Sequence, residues 1–311
     1  MRVHFLGTSA GTPTPRRNVT AQAVVFDHGA VWLLDCGEGT QHRLLRSAVR
    51  ASRVERILIT HLHGDHCYGL PGLLAFLAIQ GRKEPVELVG PVGLRELVET
   101  VARLSLLQLG YPLRITEIAA AGDLPGSGGW SLAVRPLTHR ITCWGYILRE
   151  GRRPGVFHPA KAEALGVPEG RLWGVLQRGG TVTLEDGRTV EPRQVADPPR
   201  PGRTLALLGD TSDADAIADA AQGCDLLVCE ATYDASRAAK AVEWGHMTAA
   251  GAGALAARLH ARTLVITHFS QRYEDEAGIA ALRAEAAAAC PGTRVLAARD
   301  RWSVAVPLRR K

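Results

Sequence analysis

No stretch of the sequence approaches the roughly 18 consecutive apolar residues that a membrane-crossing helix needs. That excludes an integral helical membrane protein. An apolar signal segment is missing as well, since the strand-like Val3-His4-Phe5-Leu6 starts almost at once, so the expectation is a soluble, cytoplasmic protein with no membrane partner. Cysteine is sparse. The six (Cys36, Cys67, Cys143, Cys224, Cys229 and Cys290) lie far apart and never at CxxC spacing, which excludes a disulfide-stapled secreted domain and reads as free thiols. Lysine is scarcer still, at 4 of 37 basic residues. The planar guanidinium that replaces it suits phosphate oxygens, yet an Ala-, Gly- and Arg-rich chain reflects a GC-rich genome just as readily. The ratio alone therefore does not point to nucleic acid. Neither an internal repeat nor a low-complexity tract occurs.

What remains is a chain of 311 residues with 46% hydrophobic and 22% charged content and a formal charge of +6. This supplies a normal globular core for one large domain or two, and excludes wholesale disorder. Apolar β-type runs recur at 3–7, 23–27, 31–35, 56–60, 86–89 and 132–137, and helical patterns at 41–50, 70–80, 93–104, 214–222, 249–260 and 274–289. The short Asp27-His28-Gly29-Ala30 turn predicts an antiparallel hairpin, whereas later strands are separated by helices. A mixed sheet flanked by helices follows.

Between residues 149 and 203 the composition changes. Gly, Pro and Arg cluster in Glu150-Gly151-Arg152-Arg153-Pro154-Gly155 and Asp197-Pro198-Pro199-Arg200-Pro201-Gly202, and ten basic residues face seven acidic ones. Few core-forming runs are visible. This predicts an arm, 149–203, inserted in a domain made of 1–148 and 204–311. An ordinary exposed loop is the plainer reading, but so long a coreless segment favours a binding role.

The strongest signal is Thr60-His61-Leu62-His63-Gly64-Asp65-His66, between a strand and a helical run. In extended backbone, residues two apart face the same way, so His61 and His63 can grip one metal. The turn at Gly64 then leaves Asp65 and His66 to face a second. His139, Asp210 and His268 each end an apolar strand pattern, and strand ends on one sheet edge converge. Imidazole with carboxylate suits zinc, and also manganese or iron; a bridging carboxylate holds two cations together against their repulsion.

These residues match the HxHxDH signature of the metallo-β-lactamase superfamily, and within it the chain resembles the ribonuclease Z family, endonucleases that remove 3′ trailers from precursor tRNA. The resemblance runs through Phe5-Leu6-Gly7-Thr8, Leu34-Asp35-Cys36-Gly37-Glu38-Gly39-Thr40, Gly69-Leu70-Pro71-Gly72-Leu73-Leu74 and Gly209-Asp210-Thr211. It continues in Glu230-Ala231-Thr232, Gly245-His246-Met247-Thr248 and Thr267-His268-Phe269-Ser270-Gln271-Arg272-Tyr273. It implies an α/β (α+β) four-layer αβ/βα sandwich with a protruding arm and two zinc ions per subunit. His61, His63 and His139 would hold one zinc, Asp65, His66 and His268 the other, and Asp210 would bridge them. Such a pair would bring the pKa of a shared water toward about 7 and bind the scissile phosphate. Asp65 would accept the water's proton, and His246, placed by Glu230, would protonate the leaving 3′ oxygen. A 3′-hydroxyl and a 5′-phosphate would result. The other role open to His246 is structural.

The family's arm holds the tRNA elbow, and Gly155, Phe157, Lys161, Ala162, Leu165, Gly166, Pro168, Gly170 and Gly174 resemble its pattern; Gly155 and Lys161 are the expected RNA contacts, made to phosphates and shape. A homodimer that clamps tRNA across subunits is also implied. Ser270 and Arg272 follow His268 closely enough to reach the pocket mouth and bind phosphate oxygens, with a salt bridge to Asp275 or Glu276 as the alternative for Arg272. Pro13-Thr14-Pro15-Arg16-Arg17-Asn18 resembles the family's PxKxRN loop, but Pro15 stands at the lysine position. Arg17 and Asn18 remain candidate RNA contacts, while discrimination against CCA-bearing tRNA loses its lysine. His4, His28, His42, His158, His260 and Cys67 read as structural or solvated. The rival readings are a phosphodiesterase or exonuclease of the same superfamily with other substrates, and a non-catalytic RNA-binding protein.

Overall fold

A computed structural model describes residues 1–308. The chain divides into two compact units, one of Met1–Arg149 with Thr204–Pro307 and one built on Glu150–Arg203.

The larger unit is organised by two seven-stranded sheets. The first runs Ser303–Ala305, Arg2–Gly7, Ala21–Val25, Val31–Leu34, Val54–Leu58, Val86–Pro91 and Leu113–Ile118. Its first four strands pair antiparallel, including the hairpin through Gly29, and its last four pair parallel. In the second sheet, Arg294–Ala297, Thr263–Thr267, Leu226–Glu230 and Thr204–Leu207 are parallel, and Cys143–Glu150, Trp130–Leu137 and Gly122–Leu124 complete it.

Both faces of each sheet are apolar, which builds the layers. Along Val31–Leu34, Trp32 and Leu34 face one hydrophobic cluster while Val31 and Leu33 face another; along the second sheet Leu205 and Leu207 alternate with Ala206 and Leu208 in the same way. The shared cluster lies between the sheets, joining Phe5, Trp32 and Leu58 to Tyr146, Leu207 and Val265. On the outer face of the first sheet pack the helices Leu70–Ile79 and Leu94–Leu104, and on that of the second Ala249–Arg258 and Glu276–Ala289. Sheet on sheet with helices outside is the four-layer αβ/βα sandwich.

Some local expectations change. The helix expected over 41–50 is only Thr40–Leu45. Ser47 ends it by donating from Oγ to the Leu44 carbonyl (2.9 Å) and accepting from the Val49 amide (3.1 Å), bonds that compete with the helical ladder. The expected 214–222 helix breaks into a 3₁₀ turn, Asp215–Ile217, and the short Ala218–Ala221.

The smaller unit corrects the expectation of a coreless segment. Ala162, Val167, Leu176, Val182, Val190 and Val195 are all buried together, contributed by the helices Pro159–Ala164, Arg171–Gln177 and Pro192–Val195 and by a two-stranded ribbon, Val182–Thr183 with Thr189–Val190. Apart from Leu176, which ends Leu172-Trp173-Gly174-Val175-Leu176, these residues are spaced singly among polar, charged, glycine and proline residues, so they form few runs. A bidentate pair closes the segment's ends: Arg203 donates from Nε to Glu150 Oε2 (2.8 Å) and from Nη2 to Oε1 (2.9 Å). Among the described residues, no helix is long and apolar enough to cross a membrane.

Candidate metal centre

Loops one to three residues past strand ends supply the chemistry. His61 follows Val54–Leu58, His139 follows Trp130–Leu137, Asp210 follows Thr204–Leu207 and His268 follows Thr263–Thr267. His61, His63 and His139 form one group, with His63 Nδ1 lying 3.1 Å from both His61 Nε2 and His139 Nε2. Asp65, His66, Asp210 and His268 form a second. There His66 Nε2 and His268 Nε2 are 3.3 Å apart, and the Asp210 carboxylate reaches His66 through Oδ1 (3.4 Å) and His268 through Oδ2 (3.4 Å). Asp210 Oδ2 also lies 3.7 Å from His61 Nε2 in the first group.

Donor atoms this close fit a cation. Nitrogens on a tetrahedral zinc at 2.0–2.1 Å stand about 3.3 Å apart. The far ring nitrogens are already engaged: His61 Nδ1 with Thr60 Oγ1 (2.9 Å), His66 Nδ1 with Asp35 Oδ2 (2.8 Å), His139 Nδ1 with the Gly245 carbonyl (2.7 Å) and His268 Nδ1 with Thr232 Oγ1 (2.9 Å). Each bond fixes the tautomer that turns an Nε2 lone pair inward. Burial, reinforced by neighbouring histidines, holds the His61 and His63 pKa values below the ordinary range, which favours the neutral imidazoles a cation would need. At His66, burial opposes protonation but the Asp210, Asp35 and Asp65 carboxylates overcome it and push the pKa up. A proton there occupies ground that a cation would take. The charges agree: Asp35, Asp210 and Glu230 are buried, and among the described residues the ion pairs of Asp35, Asp65, Asp210 and Glu230 are with histidines. Buried carboxylates of this density require positive charge.

Two positions pay for this geometry in backbone conformation. Asp35 (φ +59°) and His268 (φ +57°) are left-handed without being glycine, a cost of order 1–3 kcal/mol each that persists only where the surroundings over-determine it. At Asp35 they do: Oδ1 accepts from the Thr60 amide (2.8 Å) and hydroxyl (3.0 Å) while Oδ2 holds His66. Replacing Asp35 by Asn should therefore lower metal affinity by about 10- to 100-fold, measured by competition with a chromophoric chelator. Unchanged affinity would show that His66 needs no carboxylate to aim it.

Beside the two groups lies Glu230, whose Oε1 accepts from His246 Nδ1 (3.0 Å) and from the Thr211 amide (2.7 Å). Burial works to lower the His246 pKa, but Glu230 and Asp210 outweigh it and push the value up to about 9. At neutral pH this histidine carries a proton. It lines, with Asp65, His139, Asp210 and His268, a cavity of about 450 Å³.

Other expected residues fall elsewhere. The cavity wall includes neither Ser270 nor Arg272. Ser270 is buried and its Oγ accepts from the Arg272 side chain (3.3 Å), while Glu276 pairs with Arg299 (3.4 Å). Arg17 stacks over Phe269 at 5.2 Å and donates to Thr8 Oγ1 (3.2 Å); Asn18 donates from Nδ2 to the Glu38 carbonyl (2.8 Å). Their loop reaches the cavity through Gly11 and Pro13 instead. Lys161 is exposed in the smaller unit, and Gly155 is needed there for packing, since a Cβ would lie 1.8 Å from the Asp197 carbonyl oxygen.

Sequence reading assigned no role to Asp35, Thr232, the Gly245 carbonyl, Cys143 (Sγ 3.6 Å from His61 Nδ1) or the Gly11 amide, which donates to Asp65 Oδ2 (2.7 Å). Asp300 was also silent: its buried carboxylate accepts from Thr8 Oγ1 (2.8 Å) and the Asn18 amide (2.7 Å) and pairs with Arg43, anchoring the loop that carries Arg17 and Asn18. Only Asp35 left a trace, as a lone acid directly after the fully apolar Val31–Leu34.

Comparison with known proteins agrees with this picture. Sequence models described as "Anti-Pycsar protein Apyc1" and "Beta-lactamase superfamily domain" match residues 1–104 and 195–269. Ribonuclease BN of Escherichia coli (strain SE11) and that of Shigella flexneri are each 44% identical over 279 residues, covering 89% of this chain and 91% of theirs. Among solved structures, human tRNase Z, short form, superposes with a TM-score of 0.71 at 30% identity, over 99% of this chain and 100% of that one. The long-form RNase Z from yeast shares the fold alone, with a TM-score of 0.64 at 17% identity over 97% of this chain and 41% of its own.

Proposed function

The chain belongs to the ribonuclease BN family, tRNA-processing endoribonucleases of the ribonuclease Z type built on the metallo-β-lactamase fold, and from that premise we propose that it removes the 3′ trailer from precursor tRNA with two zinc ions per subunit. The observation that carries the proposal is the pair of donor groups sharing Asp210. His61, His63 and His139 would hold one ion, Asp65, His66 and His268 the other, with Asp210 common to both. Once bound, the ions supply a water activated near neutral pH and positive charge for the scissile phosphate.

The chain's own residues do the rest. Asp65, oriented by the Gly11 amide, accepts the proton of the attacking water. His246, protonated and held through Nδ1 by Glu230, gives a proton to the leaving 3′ oxygen. The tRNA keeps a 3′-hydroxyl and the trailer a 5′-phosphate. Arg17 and Asn18 contact the acceptor end, Ser270 and Arg272 support phosphate binding, and the segment 149–203, through Gly155 and Lys161 among others, binds the tRNA body. The enzyme acts as a cytoplasmic homodimer in this reading.

The test is cleavage of one CCA-less and one CCA-containing precursor with the new 3′ ends mapped. A single cut releasing an intact trailer supports the proposal, whereas a ladder of shortened trailers supports the exonuclease reading. Deleting 151–202 should raise KM for the precursor by about 100-fold with kcat changed little, because lost phosphate contacts weaken ground and transition states alike. The salt dependence should flatten at the same time. An unchanged KM and salt slope would remove that segment from RNA binding. Mixing subunits lacking 151–202 with subunits lacking Asp210 tests the dimer: recovered activity is the expected result.

A further inference from the structure

Around the metal ligands the cavity wall carries three large exposed groups that the chemistry above does not use: Tyr68, Arg140 and Trp244. Tyr68 is 67% and Trp244 44% solvent-exposed. Both are tied to the centre by their positions in the chain. Trp244 ends the helix Ala238–Trp244, and its next residue, left-handed Gly245, holds His139 by its carbonyl. Arg140 directly follows His139, and its guanidinium lies over the Trp244 ring at 5.0 Å. Tyr68 ends the turn that begins with Gly64–Cys67, and its ring lies flat against Gly64: a Cβ there would be 2.3 Å from a ring carbon. A side chain at 64 would therefore lift the ring off the loop between His63 and Asp65. One face of that ring is thus seated and its exposure comes from the other side.

Planar, exposed rings beside a phosphate-cleaving centre fit one chemistry well. Every nucleobase offers a π face, and stacking on aromatic or guanidinium planes binds it without reading its hydrogen-bonding edges. Arg over Trp also pre-orders the pair, with the cation held against the ring. We propose that Arg140 with Trp244, from the loops of the second sheet, and Tyr68, from those of the first, are two stacking platforms for the bases flanking the scissile phosphate. The Trp244 platform takes the base on the 5′ side of the cut, because Trp244 lies two residues from His246, whose proton goes to that nucleoside's 3′ oxygen. Tyr68 takes the first trailer base. The assignment of sides rests on the proton-donor role of His246. Recognition by stacking would let one cavity accept precursors of differing sequence at both positions.

The experiment pairs protein variants with precursor RNAs in which one flanking nucleotide is abasic. For the intact precursor, Trp244→Ala should raise KM by about 10- to 100-fold. On RNA abasic 5′ of the cut, the same variant should cost less than about 3-fold, while on RNA abasic at the first trailer position the full loss should persist. Tyr68→Ala should show the mirror pattern. Trp244→Phe should restore most of the affinity and Trp244→Leu should not, which separates ring from bulk. In wild-type protein, 2-aminopurine placed at the 5′ position should lose fluorescence on binding, and in Trp244→Leu it should not. Equal losses on intact and abasic RNA, or coupling of Trp244 to the trailer base, would overturn the proposal. Failure of the wild-type enzyme to cut the intact precursor would strike instead at the tRNA-processing reading on which it rests.

Discussion

Asp210→Ala is expected to reduce precursor cleavage by about 10⁴-fold or more, on the scale seen when groups that act as one catalytic unit lose a member. The Asp210 carboxylate approaches donor atoms of both groups, at 3.4 Å from His66 and His268 and 3.7 Å from His61. Without it, two divalent cations a few ångströms apart would repel each other with no shared anion between them. Zinc analysis should find fewer than two ions per chain. The effect on stability should depend on the metal. With zinc, the variant should melt below wild type, since it loses ligand-linked stabilisation. After chelation the deficit should shrink, because the buried carboxylate, 3% exposed, then has only histidines to pair with. A variant that keeps both ions and near-normal turnover would refute the bridging role.

Replacing His246 by Gln should lower kcat by about 10²- to 10⁴-fold while zinc content stays at the wild-type value. The imidazole is not a member of the three-histidine group; it is held by Glu230 at 3.0 Å and stands 3.7 Å from Asp210. Its loss should therefore show in the chemical step more than in metal or RNA binding, with KM changed little. Glu230→Gln should have the same direction and a smaller size, because it removes the carboxylate that keeps the ring protonated and aimed. A leaving group that needs no proton should rescue both variants: a precursor with a 3′-bridging phosphorothiolate at the cut should be cleaved at similar rates by wild type and His246→Gln. Persistence of the full deficit on that substrate would assign His246 a structural part.

The legible portion of the centre was the portion written locally. His61, His63, Asp65 and His66 sit in one short turn, and their alternating directions follow from the period of extended backbone. His139, Asp210 and His268 were legible because each breaks the end of an apolar run, and parallel strands bring such ends to one edge. His246 carried no such mark, and although Glu230 closes the apolar strand Leu226–Glu230, both entered only through resemblance to a family. From the residue pattern itself only a mixed sheet flanked by helices was legible, and the four-layer sandwich entered through the family resemblance; the alternation of Trp32 with Leu33 and of Leu207 with Leu208 is what covers both faces of each sheet.

By itself, then, the order of residues determined which strands are buried on both sides, which donors exist and which of them lie at strand ends. Those properties depend on side-chain type and a short repeat. Tertiary structure alone decided which nitrogen of His66, His139 and His268 turns inward, because that choice is made by Asp35, the Gly245 carbonyl and Thr232, 31 to 106 positions away, whereas the partner of His61 is the adjacent Thr60. It also decided that Ser270 and Arg272 bond to each other, that the Gly11 amide holds Asp65, and that the segment 150–203 has a core of its own. A hydrogen bond has a direction as well as a chemistry, and its direction is set only once the distant chain has been brought alongside.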